Sequence, residues 1–298
     1  MNGSLHSYMK VGIVSFMAYP APYPVVDAIS QLAGDAFFTA VEVTHIPNPE
    51  DRAAVAAILS SSGLEVGYGA QPVQLGGKLD VNSLDELTRR KAVDRLIACV
   101  DEAVTLGCRR LALLSGPDPE PARRAEATDA LVRSLDELSD YAGQRGLGVT
   151  LEVFDRDIDK KALVGPTVDA VAVSERVRQK HPSFGLMVDL SHLPLQFETA
   201  EQALRASAAQ LAHIHIGNCV LQKGHPAYGD MHPRFGIPGG ENDVAEVREF
   251  LGMLAEIGYI GEGKQRVVAF EVKPMPGELP QVVVANAKRT LLQAWAEL

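Results

Sequence analysis

Hydrophobic positions follow two different periods along this chain. Short apolar runs rich in β-branched residues are typical of buried strands, and longer segments with apolar residues every three to four positions are typical of helices. The predicted strands cover residues 10–16, 40–44, 65–69, 110–114, 148–154, 185–190, 211–216 and 267–272. The predicted helices cover residues 25–33, 50–60, 84–106, 122–143, 167–181, 200–208, 243–256 and 281–296. Alternation of this kind predicts a parallel α/β fold.

The segment 84–106 has the clearest helical pattern. Its apolar stripe follows a period near 3.6 and consists of Leu84, Leu87, Val93, Leu96, Ile97, Val100 and Val104. Ser83 and Glu86 have the spacing of a capping box at its start, and Gly107 suits the position just past its end. Thr199 and Gln202 repeat the capping spacing before the helix 200–208.

The number of strand–helix pairs favours a (β/α)8 TIM barrel. A doubly wound open sheet also alternates, but no predicted strand is followed by the GxGxxG turn that a dinucleotide would need. The 298 residues fit one large barrel, and the short proline-rich stretches lie between patterned segments as loops do. We therefore predict a single domain over residues 1–298, with residues 1–9 as a flexible N-terminal extension.

Each of the last four predicted strands contributes an ionisable residue near its carboxyl end, inside an apolar run. These residues are Glu152, Asp189, His215 and Glu271. A buried charge is costly unless it is paired or bound to a metal, and the carboxyl ends of the strands are where TIM-barrel active sites assemble. One such glutamate would be explained equally well by an ion pair with a neighbouring strand. Four consecutive strands favour a metal site.

The ligand chemistry narrows the choice of metal. Carboxylate oxygens with one imidazole nitrogen suit Mn²⁺, Mg²⁺ or Co²⁺, and Zn²⁺ is compatible as well. One divalent ion is expected, with Mn²⁺ as the first choice. Such a set leaves coordination positions for the oxygens of a substrate.

This pattern resembles the xylose-isomerase-like TIM-barrel superfamily, which includes ketose 3-epimerases, sugar isomerases, inosose dehydratases and AP endonucleases. The resemblance implies that Glu152, Asp189, His215 and Glu271 bind one metal and that the two glutamates also act as catalytic acid and base. Asp189 and His192 match the Asp-x-x-His of the family, which implies that His192 contacts a substrate oxygen. A hydrogen bond from His192 to a loop is the plain alternative.

The activity that the resemblance implies is a metal-dependent isomerase or epimerase of keto sugars that works through an enediolate. The metal would polarise the carbonyl, while one glutamate removes a proton and the other returns it. Return to the same carbon gives epimerisation, and return to its neighbour gives isomerisation. Expulsion of a β-leaving group would instead make the enzyme a lyase.

The segment that follows the seventh predicted strand departs from the epimerases. They carry an arginine a few residues beyond the strand histidine, whereas here a long loop rich in Gly and Pro follows His215. We expect this loop to cover the site and to bind substrate through His225, Asp230, His232 and Arg234, with Gln71 as a further contact. Tyr68 and Phe16 are candidate pocket walls, and His213 is expected to be a packed interior histidine.

Three alternatives stay open, and the first two concern the same loop. Its motifs (HIHIGN, GDMHP and PGGEND) and FEVKP at the eighth predicted strand are similar to those of the large subunit of C-glycoside deglycosidases, which implies a metal-dependent lyase of 3-keto glycosides with a small partner subunit. Asp230 and His232 match the Asp-x-His of the AP endonucleases, but the histidines which that branch needs at earlier strands are missing. A non-catalytic sugar-binding metalloprotein would be favoured by loss of one glutamate, and both are present.

The composition of the chain indicates which classes of binding partner are not expected. The net charge is -10, from 28 basic and 38 acidic residues, so nucleic acid and anionic membranes are not expected to bind. Three cysteines without CxxC spacing indicate neither a disulfide framework nor a thiolate zinc site. The N-terminus has no apolar signal segment, and a cytoplasmic location is expected. A homo-oligomer is compatible with the exposed helical ring of a barrel.

Overall fold

The computed structural model describes residues 3–298, in which eight parallel strands form one sheet. They are β1 (Lys10–Ile13), β2 (Ala40–Val43), β3 (Glu65–Gly69), β4 (Arg110–Leu114), β5 (Gly148–Glu152), β6 (Gly185–Asp189), β7 (Leu211–Gly217) and β8 (Val267–Glu271). Their order around the sheet is β1-β8-β7-β6-β5-β4-β3-β2. Each strand therefore lies beside its neighbours in sequence, as in a TIM barrel.

The remaining gap, between β1 and β2, is bridged by a few backbone contacts. Val14 pairs with Glu42, and the N–H of Thr39 donates to the carbonyl of Val11 at 2.8 Å. The N–H of Val11 in turn donates to the hydroxyl of Thr39 at 2.9 Å. These contacts bring the first and last edges of the sheet together, and the predicted (β/α)8 barrel is confirmed.

The helices surround the sheet and cap its carboxyl end. They are α1 (Ser15–Ala18), α2 (Val25–Ala33), α3 (Pro49–Ser62), α4 (Gln71–Gly77), α5 (Glu86–Thr105), α6 (Arg124–Gly143), α7 (Thr167–Arg178), α8 (His192–Gln196), α9 (Ala200–Ser207), α10 (Val244–Glu256) and α11 (Pro280–Ala296), with 3-10 turns at Leu5–Ser7 and Pro121–Arg123. The short helices α1, α4 and α8 were not predicted, and each begins just after a strand. Among residues 3–298 no helix combines the length and the apolar character that a membrane span requires.

The start of α5 differs from the prediction. The side chain of Asp85, rather than Ser83, caps this helix by accepting the N–H of Thr88 at 2.9 Å. Leu84 lies before the helix, and Leu87 is 82% exposed, so neither belongs to the buried stripe. The helix is thus capped by an aspartate two residues beyond Ser83, and Ser83 and Glu86 do not form the predicted capping box. The predicted end at Gly107, with φ +73°, and the capping box of Thr199 are both confirmed.

The N-terminal segment is packed rather than extended. Leu5 and Met9 are buried in the main core, and the indole N–H of Trp295 donates to the carbonyl of Gly3 at 3.0 Å. The prediction of a flexible extension over residues 1–9 was therefore wrong from Gly3 onward, because Leu5 and Met9 supply apolar anchors that a loop would lack. Met1 and Asn2 lie outside the described residues.

The core fills two layers. The larger layer packs the outward faces of the strands against the helices and includes Leu96, Leu111 and Phe250. A smaller cluster of Ala40, Val267 and Ala269 lies on the opposite face of the strands. A Cβ on Gly12 would lie 3.0 Å from the Cβ of Ala269, so the absence of a side chain there lets the interior close. This packing fixes the strand ends that carry the site.

Candidate metal centre

The structure brings together the four residues that the sequence singled out. Glu152, Asp189 and Glu271 end β5, β6 and β8, and His215 lies in β7, where it pairs with Asp189 in register. One ligand atom of each residue lies within 4.8 Å of the corresponding atoms of the other three. The parallel register of neighbouring strands thus places a hard, oxygen-rich donor set at one point of the barrel mouth.

Two oxygens of this cluster have no partner. Oε1 of Glu152 and Oδ2 of Asp189 are buried without a hydrogen bond, in side chains of residues that are 2% and 1% exposed. Nδ1 of His215 lies 3.9 Å from each of them and 2.6 Å from Oε2 of Glu271. A buried oxygen without a partner costs about 1–3 kcal/mol. A divalent cation would satisfy both oxygens, so the residues fit a metal of this class.

Glu42 holds His215 from the opposite side. Its Oε1 lies 2.8 Å from Nε2 of His215 and 2.8 Å from Nε2 of His213. When His215 is neutral and its Nε2 donates to Glu42, its lone pair is on Nδ1, which faces the cluster and can bind a metal. Glu42 was not predicted, although it is an ionisable residue in an apolar strand like the four residues that were. Gly67 makes room for it, since a Cβ there would lie 2.9 Å from Cγ of Glu42.

The two glutamates of the cluster have opposite protonation tendencies. Burial, with a smaller contribution from the Glu271 charge, raises the pKa of Glu152 to about 8. Burial also opposes ionisation of Glu271, but the imidazoles of His232 and His215 outweigh it and lower the pKa of Glu271 to about 2. For His215 burial is outweighed by Glu42 and Glu271, which raise its pKa well above the usual value. Carboxyls with such different tendencies are typical of acid/base pairs.

A cavity of about 170 Å³ opens beside the cluster. Gln71, at the start of α4, lines it and donates from Nε2 to Oε2 of Glu152 at 2.6 Å. Phe16, Leu75 and Phe154 form part of an apolar wall. Gln71 and Phe16 therefore lie where the sequence analysis expected them. Tyr68 does not line this cavity, and its hydroxyl donates to Glu102 at 2.9 Å instead.

The long loop after β7 delivers two side chains to the cavity. Asp230 and His232 both line it, with Nε2 of His232 2.9 Å from Oδ1 of Asp230. His232 has a φ of +50°, a conformation that costs a non-glycine residue on the order of 1 kcal/mol. Its carbonyl accepts the N–H of Lys273 at 2.6 Å, which holds this conformation. Asp189, His192 and His232 form a second group close enough to share a cation.

His192 is buried behind the cavity. Its Nδ1 donates to the carbonyl of Val153 at 2.9 Å, which is the loop hydrogen bond considered from the sequence. Its Nε2 lies 3.2 Å from Oδ1 of Asp230 and 3.9 Å from Oδ2 of Asp189. His192 is not among the residues that line the cavity, so it reaches the cavity through Asp230.

His225 and Arg234 lie away from the cavity, contrary to the expectation that both would face a substrate there. Nδ1 of His225 accepts the N–H of Ala227 at 3.0 Å, so the histidine shapes its own turn. Nε of Arg234 donates to Glu278 at 2.9 Å, which ties the loop to the segment before α11. Both side chains are occupied in fixing the loop path, and composition alone cannot separate that role from binding.

Lys160 is a residue of the cavity that sequence analysis missed. It lies in the loop between β5 and α7, and its Nζ is 2.8 Å from Oδ2 of Asp230 and 3.2 Å from Oδ2 of Asp159. Among the residues that the structure describes, it is the one lysine or arginine lining the cavity. The loop has no periodic pattern, so no sequence signal indicated where this side chain would lie.

Comparison with known proteins agrees with the fold. A model of the xylose isomerase-like TIM barrel family matches residues 28–283. The L-ribulose 3-epimerase of Methylomonas sp. (strain DH-1) is 25% identical over 147 residues, which are 48% of this chain and 50% of that protein. The matched region therefore spans half the length of this curated relative.

Two solved structures share the fold over nearly the whole chain. The IOLI protein with a binding zinc atom has a TM-score of 0.76 at 16% identity, covering 97% of this chain and 99% of that chain. The 3-keto-D-glucoside 4-epimerase from E. coli, in its apo form, has a TM-score of 0.67 at 16% identity, covering 95% of this chain and 98% of that chain. At these identities the likeness is one of fold.

Proposed function

The chain belongs to the xylose isomerase-like TIM barrel family, and we propose on that basis that it is a divalent-metal-dependent epimerase or isomerase of keto sugars. The proposal depends on one observation. Glu152, Asp189, His215 and Glu271 converge at one point, and one oxygen of Glu152 and one of Asp189 are buried there without a hydrogen bond. Mn²⁺ is the first choice for this donor set, and Mg²⁺, Co²⁺ and Zn²⁺ also suit it.

Glu152 and Glu271 are proposed as the proton-transfer groups. A bound divalent ion would supply Lewis-acid polarisation of the sugar carbonyl, which acidifies the neighbouring C–H. A carboxylate oxygen of one glutamate accepts that proton, and the carboxyl of the other donates one. Gln71 fixes the orientation of Glu152 through its hydrogen bond to Oε2. Positioned acid/base groups of this kind contribute about 10²–10⁴ in rate.

The substrate class is proposed from the relatives and from the cavity. The curated relative is named as a 3-epimerase of L-ribulose, a ketose, and a structural neighbour is named as a 4-epimerase of a 3-keto-D-glucoside. A reaction that labilises a C–H beside a carbonyl is common to both. Phe16, Leu75 and Phe154 would cover the carbon face of a sugar and exclude water from it.

Deuterium exchange tests the proposal. Protein freed of metal with a chelator is incubated in deuterium oxide with L-ribulose and other keto sugars, with and without Mn²⁺, and label incorporation is followed by mass spectrometry. We expect incorporation only with the metal, at a rate lower by about 10²–10⁴ for Glu152→Gln and for Glu271→Gln. The control is Glu249→Gln, an exposed carboxylate of α10, which should exchange like the natural protein. Exchange that is independent of metal, or absent for every keto sugar, would contradict the proposal.

A further inference from the structure

A second cavity of about 300 Å³ adjoins the first. The two share Leu75 and Lys160 as lining residues, so they meet at these side chains. Helix α4, the end of β4 and the loop between β5 and α7 form the second cavity. A wider groove lined by residues 20–24 and 273–278 shares no lining residue with the first cavity. Of the two larger cavities, the one beside α4 is therefore the one that adjoins the metal centre.

The walls of the second cavity are fixed by hydrogen bonds within the protein. Nε2 of Gln74 donates to the carbonyl of Leu114 at 2.9 Å, and the N–H of Leu114 donates back to Oε1 of Gln74 at 2.9 Å. The hydroxyl of Ser115 accepts the N–H of Val164 at 3.0 Å. Since these contacts lock α4 and the loop 153–166 onto β4, the cavity is formed in advance of any ligand.

Lys160 is held at the junction by its own loop. The carboxylate of Asp155 accepts three backbone N–H groups, those of Ile158 at 2.7 Å, Asp159 at 2.7 Å and Lys160 at 2.9 Å. The ammonium of Lys160 then reaches Asp159 and Asp230. An ammonium has three N–H donors, and the third has no partner among residues 3–298. This free donor belongs to a side chain that lines both cavities.

The two cavities differ in charge. The first is lined by Glu42, Glu152, Asp230 and Glu271. Among the described residues that line the second there is no carboxylate, and its charged members are Lys78 and Lys160. The first cavity thus suits a cation with its bound sugar oxygens, and the second offers hydrogen-bond donors to oxygen acceptors.

We propose that the second cavity is a subsite for a substituent on the sugar and that Lys160 donates a hydrogen bond to an oxygen at the junction of the two parts. This inference rests on the proposed function and specifies its substrate class. The preferred substrate is a keto sugar that carries a further oxygen-bearing group, rather than a free ketose. Lys160 is then a residue that determines specificity by contacting the substrate.

The test compares two ligands on the Mn²⁺-loaded protein. Affinities for a 3-keto-D-glucoside and for L-ribulose are measured by calorimetry, and exchange kinetics are measured where turnover occurs. We expect the glucoside to bind about tenfold or more tightly than L-ribulose, the amount that one charged hydrogen bond supplies. In Lys160→Met the affinity for the glucoside should fall about tenfold more than the affinity for L-ribulose.

Matched variants separate the subsite from damage to the centre. Lys161→Met removes the adjacent, exposed lysine of the same loop and should behave like the natural protein. Lys160→Arg should keep part of the preference, and Mn²⁺ affinity shows whether Lys160→Met has an intact metal centre. Leu79 lines the second cavity and not the first, so Leu79→Trp should weaken binding of the glucoside more than binding of L-ribulose.

The outcomes separate the subsite from the proposed function. Equal losses for both ligands in Lys160→Met and Leu79→Trp, or no preference in the natural protein, would overturn the subsite while exchange on L-ribulose still supported the function. Absence of exchange with either ligand would count against the function, and the binding ratios would still decide the subsite. Release of the substituent instead of epimer formation would make the reaction an elimination and would support the subsite.

Discussion

The two ends of the barrel both bury charge, but they do so differently. At the amino end, the guanidinium of Arg110 donates to the hydroxyl of Thr150 at 2.7 Å and to the carbonyls of Val149 at 3.1 Å and Ser183 at 2.9 Å. At the carboxyl end, Oε1 of Glu152 and Oδ2 of Asp189 have no hydrogen-bond partner among the described residues. The amino end is therefore arranged for stability, and the carboxyl end retains unsatisfied groups that a ligand can satisfy.

This difference implies that substitutions at the two ends of the barrel have different effects on stability and activity. Carboxylates crowded in a buried cluster repel one another, so neutralising one of them should cost little stability or even increase it. Removing a half-buried cation that makes three hydrogen bonds should have the opposite effect, because its acceptors lose their partner. Activity and stability should thus be lost by substitutions at opposite ends of the barrel.

The largest expected effect is on activity at the carboxyl end. Glu152→Gln should lower metal-dependent exchange by about 10²–10⁴, since a proton-transfer group is lost. The melting temperature of the metal-free protein should change little below pH 8, where Glu152 is largely protonated, and should rise above it, because the amide carries no charge that repels Asp189 and Glu271. Exchange rates and thermal melts of the same preparation check both statements. A large fall in melting temperature would show that this carboxylate stabilises the fold.

At the amino end the expected effect is on stability. Arg110→Met should lower the free energy of unfolding by about 2–4 kcal/mol, because three acceptors around the guanidinium lose their donor. The exchange rate per folded molecule should be retained, since β4 still carries its apolar core residues. Urea unfolding measures the first quantity. Arg109→Met is the control, because Arg109 is exposed and its side chain should contribute little to stability. An equal loss of stability in Arg109→Met would show that the hydrogen bonds of Arg110 do not stabilise the fold.

Most residues of the candidate metal centre at the carboxyl end could be predicted from the sequence. Glu152, Asp189, His215 and Glu271 could be predicted because each is an ionisable residue inside an apolar strand, and parallel strands bring equivalent ends together. Glu42 had the same signal in its strand, Ala40–Val43, and could have been found by applying that rule to the first half of the chain.

The loops could not be predicted in the same way. His225, Asp230, His232 and Arg234 are equally polar in sequence, yet only Asp230 and His232 line the cavity. The path of their loop depends on contacts with distant segments, such as the N–H of Asp230 donating to Asp159 at 2.8 Å. The role of Lys160 depends on the same contact between two loops. No local period encodes such a path, so composition gave candidates without their orientation.

A smaller effect should appear in the pH dependence of the metal-free protein. The pKa of Glu152 is raised from 4.5 to about 8, and that of His232 from 6.5 to about 9, where Asp230 and Glu271 outweigh burial. Between pH 6.5 and 8 the folded state therefore binds more protons than the unfolded state, and stability should fall as pH rises. A slope on the order of 1 kcal/mol per pH unit is expected in urea unfolding.

Metal and mutation test the origin of that slope. Saturating Mn²⁺ should flatten it, because metal ligands bind in their deprotonated forms and the metal displaces the protons. Glu152→Gln should reduce the slope, whereas Arg110→Met should lower stability at every pH and leave the slope unchanged. A slope that persists in Glu152→Gln with metal bound would place the titrating groups outside the carboxyl-end cluster.

The smallest expected effect again concerns the amino end. Lys10 and Glu65 form an ion pair with Nζ 2.7 Å from Oε2, but their side chains are 28% and 31% exposed. Water screens such a pair, so Lys10→Met should lower the free energy of unfolding by less than about 1 kcal/mol. At about 1 M salt the Debye length shrinks to about 3 Å, and the difference from the natural protein should shrink with it. If Lys10→Met lowered the free energy of unfolding as much as Arg110→Met, the stability of the amino end would come from ion pairs in general. A small, salt-sensitive cost would instead attribute that stability to the three hydrogen bonds of the Arg110 guanidinium.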